Sequence, residues 1–350
     1  MTQGAGVTGG AFYSRYENVY ELLLDVWVQR SAQPVREILD LAVSAQTGKV
    51  APDAVAAAIS ERSDQVIVGL SLFLVAPRMP ELAETVLPQV RGWLAQSGEG
   101  LIDAIIPVAF TVGALLFDGI VGAPGGDWST PLQWTQAAGG DGLPKRKART
   151  RDDQVTVDTL VHPNSGDDIR DRLLLAAATV ISRGGVARAT ASRIARVADV
   201  PQAVIFEMWG SRANLIADTI AVILQGLSES VAPMGLAAMS GDVEKASAGV
   251  SFILSLGYTQ PRQLRVELVL AAMSDPLVAD AMITADRVAT DALTLAAEAT
   301  SVDLRTLAGA IRAVMLGLVV LQQNIGMLDD LDFHTPIERL LRAAAGTGSE

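Results

Sequence analysis

Positive charge gathers in one part of this chain, and the chemistry it offers is phosphate neutralisation. Between Lys145 and Asn214, twelve Lys and Arg face eight Asp and Glu, a local +4 in a 350-residue chain of formal charge −12, which leaves −16 elsewhere. The run Lys145, Arg146, Lys147, Arg149, Arg151 and the pair Arg193, Arg196 are its densest points. An overall field of this sign repels nucleic acid, so any contact with phosphates must be confined to that local basic face. Other chemistry is scarce. There is no cysteine, and the only histidines, His162 and His334, stand far apart, so no metal site is assigned. Paired carboxylates, a nucleophile elbow and a phosphate loop are not apparent. No catalytic residues and no cofactor are assigned, and an enzyme is not expected.

The elements that must present the basic face are legible from periodicity. Asp167 or Asp168 caps a helix with apolar positions Ile169, Leu173, Ala176, Ala177, Val180 and Ile181, and Gly184–Gly185 ends it. A short second helix fits Thr190–Ala198, with Thr190 as N-cap and Ile194 and Val197 facing inward. Pro201 opens a third to about Met208. Gly210 breaks the chain, and Ser211 caps a long helix through Leu215, Ile216, Ile220, Ile223 and Leu224. No β pattern of comparable length appears, so the fold class is all-α.

The chain also repeats itself. VTGGAFYSRYENVYEL (7–22) and VPQAVIFEMWGSRANL (200–215) align about 193 residues apart, with Tyr16 opposite Trp209, Asn18 opposite Ser211 and Leu22 opposite Leu215. QVIVGLSLFLVAPRMPELAETV (65–86) lines up with QLRVELVLAAMSDPLVADAM (263–282). Near the end of each half comes a helix of small and aliphatic residues, with Gly113 in one and Gly317 in the other at matching places. Pro107 should kink the first. The uncharged stretch Ala104–Phe117 is too short to cross a bilayer, and no signal peptide is evident, so a cytoplasmic protein with no membrane contact is expected.

Residues 169–220 resemble the DNA-binding region of TetR-family transcriptional regulators, with Thr190, Ile194, Ala195, Val200, Phe206, Trp209, Ser211 and Arg212 at the family's places. GVTGGAFYSRY near the N-terminus is similar to the turn and recognition helix of the same unit. The resemblance implies a tandem fusion of two TetR-like units: a truncated helix-turn-helix remnant (1–30), a first regulatory helical domain (31–124), a linker (125–166), a helix-turn-helix domain (167–213) and a second regulatory helical domain (214–345). The first copy lacks its two leading helices. Either the gene product begins upstream of Met1, or that half does not read DNA.

The resemblance further implies that the halves form an intramolecular pseudo-dimer through the 304–322 helix and its counterpart, with further homo-oligomerisation left open. Double-stranded DNA is then the partner. Gln202 and Ala203 would meet base edges, Phe206 belongs to the same recognition helix, and Thr190, Ser192, Arg193 and Arg212 would meet phosphates. A small apolar effector would enter between helices of the second half, with Phe252, Tyr258, Met273, Met315 and Gln322 as candidate contacts. The expected function is a ligand-responsive transcriptional regulator, a repressor. The alternative is a TetR-like ligand-sensing or partner-binding protein that has lost DNA binding, suggested by Glu207 on the recognition helix and Asp199 at the turn.

Overall fold

Asn18 accepts a hydrogen bond from the Glu21 amide at 3.0 Å and so starts the first helix, α1 (Val19–Val26). A widened π-turn, Trp27–Ser31, carries it into α2 (Ala32–Gln46). Pro34 accounts for the widening, because it has no amide to offer Arg30 and its ring presses on the preceding turn. Trp27 is fully buried there, donating from Nε1 to Gln89 at 2.8 Å and stacking on Trp93.

The computed structural model describes residues 15–61, 64–96, 99–121, 128–138, 163–239, 242–253, 259–296, 304–326, 328 and 331–346. Every helix and strand-length element among them is helical. The first half continues with α3 (Pro52–Ser60), α4 (Asp64–Val75), α5 (Pro80–Gln96), α6 (Glu99–Val121) and α7 (Ser129–Ala137). The second comprises α8 (Asp168–Gly184), α9 (Ala191–Ala198), α10 (Gln202–Trp209), α11 (Arg212–Met239), α12 (Val243–Ile253), α13 (Thr259–Ala272), α14 (Pro276–Ala296), α15 (Leu304–Ile325) and α16 (His334–Ala344).

Among the described residues, α6 and α15 form the most extensively packed helix pair. Ala109 and Gly113 lie one turn apart on α6, and Ala313 and Gly317 one turn apart on α15. The crossing is reciprocal: a β-carbon on Gly113 would land inside the Ala313 carbonyl, and one on Gly317 inside that of Ala109. Only glycine lets two helix backbones come this near. Phe110, Leu115, Leu116, Val314, Leu318 and Val320 fill the surrounding core without solvent exposure. Pro107 lies inside α6, and the helix runs unbroken past it. Residues Thr306–Ile325 are long and apolar enough to cross a membrane by length and composition, which the reading centred on Ala104–Phe117 overlooked. In the fold this helix is the partner of α6.

Other bonds tie the halves together. Arg78, in the turn after α4, donates to Glu267 of α13 at 2.7 Å, and Arg91 of α5 donates to the Ile325 carbonyl at 3.0 Å. The Asn324 amide donates to the Phe73 carbonyl. On α15, Arg312 pairs with Asp286 of α14 and lies over the Phe117 ring of α6.

One segment departs from the sequence reading. Residues 128–138, expected within the interdomain linker, are largely helical and buried: Trp128, Leu132 and Thr135 point into the core, and α7 packs on α3 and α16. Trp128 donates to the fully buried Asp118 at 3.1 Å and meets Phe110 edge to face. Its apolar residues at helical spacing outweigh the Gly- and Pro-rich composition around it. Apart from 163–166, which lead into α8, the remainder of the expected linker, including the basic run 145–151, lies outside the described residues, as do residues 1–14.

Candidate nucleic-acid interface

Three helices form the head of the second half. Asp167 caps α8, accepting from the amides of Ile169 and Arg170 at 3.0 and 3.1 Å. Leu173, Leu174, Ala177 and Ile181 of α8 are buried with Ile194 of α9, Ile205 of α10 and Leu215 of α11. α9 begins at Thr190, whose hydroxyl accepts from the Arg193 amide at 3.3 Å. It ends at Asp199, whose φ of 54° makes it the one non-glycine residue with positive φ among those described. Asp tolerates this left-handed conformation better than most side chains, which lets it stand where a turn glycine would otherwise serve. Gly210, at φ 69°, closes α10, and Ser211 caps α11 by accepting from the Asn214 amide at 3.1 Å.

One carboxylate that sequence reasoning missed holds the head together. Asp218 of α11 accepts from Arg170 of α8 at 2.6 Å and from Trp209 Nε1, at the end of α10, at 2.9 Å. The same bond recurs in the first half, where the Tyr16 hydroxyl donates to Asp25 at 2.7 Å. In both copies the aromatic donor precedes its aspartate by nine residues. This bond to Asp25 raises the Tyr16 phenol above its ordinary value. An aspartate nine residues after the aligned aromatic was the signal available in the sequence.

The positions of the expected contact residues fall into two groups. Thr190, Ser192, Arg193, Gln202 and Ala203 are exposed, and so is Phe206 at 46 %. Arg188 and Arg196 are also exposed, so that with Arg193 three cations lie on or just before α9. Arg212 is placed differently: its guanidinium donates to the Ala189 carbonyl at 2.7 Å and to the Val186 carbonyl, pinning the loop after α8 to the start of α11. A phosphate contact from Arg212 would compete with both bonds. Val197, expected to face inward, is 49 % exposed, because Ala191, Ile194, Ala195 and Ala198 already make up the buried face of α9.

The expected effector contacts are scattered. Met273 receives a hydrogen bond from Ser71 of α4 at 3.0 Å, and so lies between the halves. Met315 is half-buried on α15. Gln322 is buried and accepts from the buried Arg262, while its Nε2 finds no partner. Tyr258 and the Phe252 side chain lie outside the described residues. A small cleft of about 30 Å³, room for a water or two, opens where Arg212, Ala213 and Ile216 of α11 meet Asp275, Leu277 and Val278 at the start of α14. None of Met273, Met315 and Gln322 borders it. No group of three or more His, Asp and Glu side chains able to hold a metal occurs among the described residues.

Comparison of the chain with protein-family profiles and with curated proteins gives no match.

Proposed function

We propose that the chain is a double-stranded-DNA-binding regulator of transcription of the TetR type, acting as a repressor in the cytoplasm. The observation that carries this reading is the head itself. A capped three-helix stack leaves Gln202, Ala203 and Phe206 of α10 in solvent, and exposed Arg188, Arg193 and Arg196 lie on or just before α9. In a helix-turn-helix, such a third element enters the major groove while the second helix crosses the phosphate backbone. The repeated aromatic-to-aspartate bond and the reciprocal glycine crossing of α6 and α15 support the tandem, pseudo-dimeric organisation. A small apolar effector is proposed to bind among the helices of the second half and to shift the head through α11.

The test is selection of bound duplexes from random DNA, followed by salt titration of the winners. With three or four phosphate contacts, the logarithm of affinity should fall against that of salt with a slope of roughly −3. Failure of the full chain to hold any duplex at low salt would refute DNA binding. It would favour the second reading, a sensing or partner-binding relative, to which the commitment of Arg212 to two carbonyls and the exposed carboxylate of Glu207 already lend support.

A further inference from the structure

One side of α10 carries an unusual set of exposed side chains, while Met208, 37 % exposed, lies on the far side. At 3.6 residues per turn, Gln202, Phe206, Ala203 and Glu207 follow one another around roughly 140° of the helix. All four are exposed, while Ile205 on the opposite side is fully buried and Val204 and Trp209 are half-buried. The arc holds one amide, two apolar groups and one carboxylate. α10 contains no Lys or Arg, and the nearest cation after it, Arg212, is engaged with the Val186 and Ala189 carbonyls.

Those groups match some base edges and not others. Guanine is read in the major groove chiefly by Arg or Lys on O6 and N7, a pairing this helix cannot make. Gln pairs bidentately with adenine N6 and N7, and Ala and Phe make apolar contact with the C5-methyl of thymine. An aromatic ring nearly half in water has a reason to be there if a methyl group covers it on binding.

We infer that Phe206 and Gln202 are the specificity-determining residues of the head, and that they select an A·T step in the major groove, Gln202 through adenine and Phe206 through the thymine methyl. This rests on the DNA-binding reading above and goes beyond it by naming the base pairs. Ala203 adjoins the same methyl, and Glu207 disfavours a phosphate close to the end of α10.

The experiment takes the full chain and its selected duplexes and replaces thymine with uracil one position at a time, which removes the methyl and leaves the protein untouched. One thymine in the site read by the head should lose about fourfold in affinity on replacement, the worth of one buried methyl-sized group. Phe206→Ala should bind the uracil and thymine duplexes equally. Gln202→Ala should lose roughly tenfold of its preference for adenine at the adjoining position. Selected sites built on guanine, uracil duplexes bound as tightly as thymine ones, or a Phe206→Ala protein still sensitive to the methyl would each overturn the inference while leaving DNA binding in place. If the wild-type chain selects no duplex, the functional reading itself fails.

Discussion

Substituting Gly317 by alanine is the sharpest probe of how the two halves are joined. The added methyl would occupy the Ala109 carbonyl, and the obstacle is backbone, which no rotamer change can move aside. Carbon and carbonyl oxygen rest at about 3.3 Å or more, so α6 and α15 must part by on the order of 1 Å. A gap of that size forfeits up to about half of each dispersion contact along the seam. The seam includes Phe110, Leu116, Val314 and Leu318, all without exposure.

Overpacking typically costs about 1–3 kcal/mol, and a backbone obstacle puts this site at the upper end. Removing a glycine from a helix returns roughly 1 kcal/mol. The expected net loss is therefore roughly 2 kcal/mol, measured by urea denaturation followed by far-UV circular dichroism. Gly113→Ala should behave alike, and the double variant should cost less than the two added together, since helices already parted for one methyl admit the second. Gly92→Ala is the control: nothing lies within 4 Å of its added carbon on α5, so it should be neutral or gain about 0.5–1 kcal/mol. A Gly317→Ala protein as stable as Gly92→Ala would refute the close crossing.

Asp218→Ala removes the acceptor shared by Arg170 and Trp209 and should destabilise the head by about 2 kcal/mol, seen as faster amide exchange in 168–209 while α6 stays protected. Asp199→Gly relieves the left-handed strain at the turn and should add about 1 kcal/mol of stability, and by removing an anion it should tighten any selected duplex. Arg312→Met should cost up to about 3 kcal/mol by removing the ion-pair partner of Asp286 and leaving it only the attraction of Arg265, whereas Arg312→Met with Asp286→Leu should be close to neutral in chemical denaturation. Burial holds the Asp286 carboxyl above its ordinary value, against the pull of Arg312, and holds Arg312 below its own. Because the folded chain grips that proton more tightly than the unfolded one, this group's contribution is greatest below the ordinary carboxylate range and is lost as pH rises through the elevated value. Wild type should accordingly lose stability relative to Asp286→Asn as pH rises from below the ordinary carboxylate range through the elevated value; parallel pH profiles would refute it.

The sequence discloses local structure here far better than it discloses partners in space. The caps at Asp167, Thr190 and Ser211, the breaks at Gly185 and Gly210 and the stripe of α8 from Leu173 to Ile181 each depend on residues within a few positions of one another and appear where the pattern puts them, whereas Ile169, expected in that stripe, is 40 % exposed in the first turn, ahead of the core. Val197 was misplaced because a helix with apolar groups on three sides has no unique inner face until its neighbours choose one. Arg212 shows the same limit for charge: from sequence it is a free cation at a helix start, and only the fold brings two carbonyls within reach of its guanidinium. Gly113 and Gly317 sit between these extremes. Their equivalence is readable from the repeat, but that each glycine exists to admit the other helix's carbonyl is a property of the crossing alone. Because the crossing is reciprocal, the Gly113–Ala313 and Gly317–Ala109 approaches are one close contact that can be tested twice.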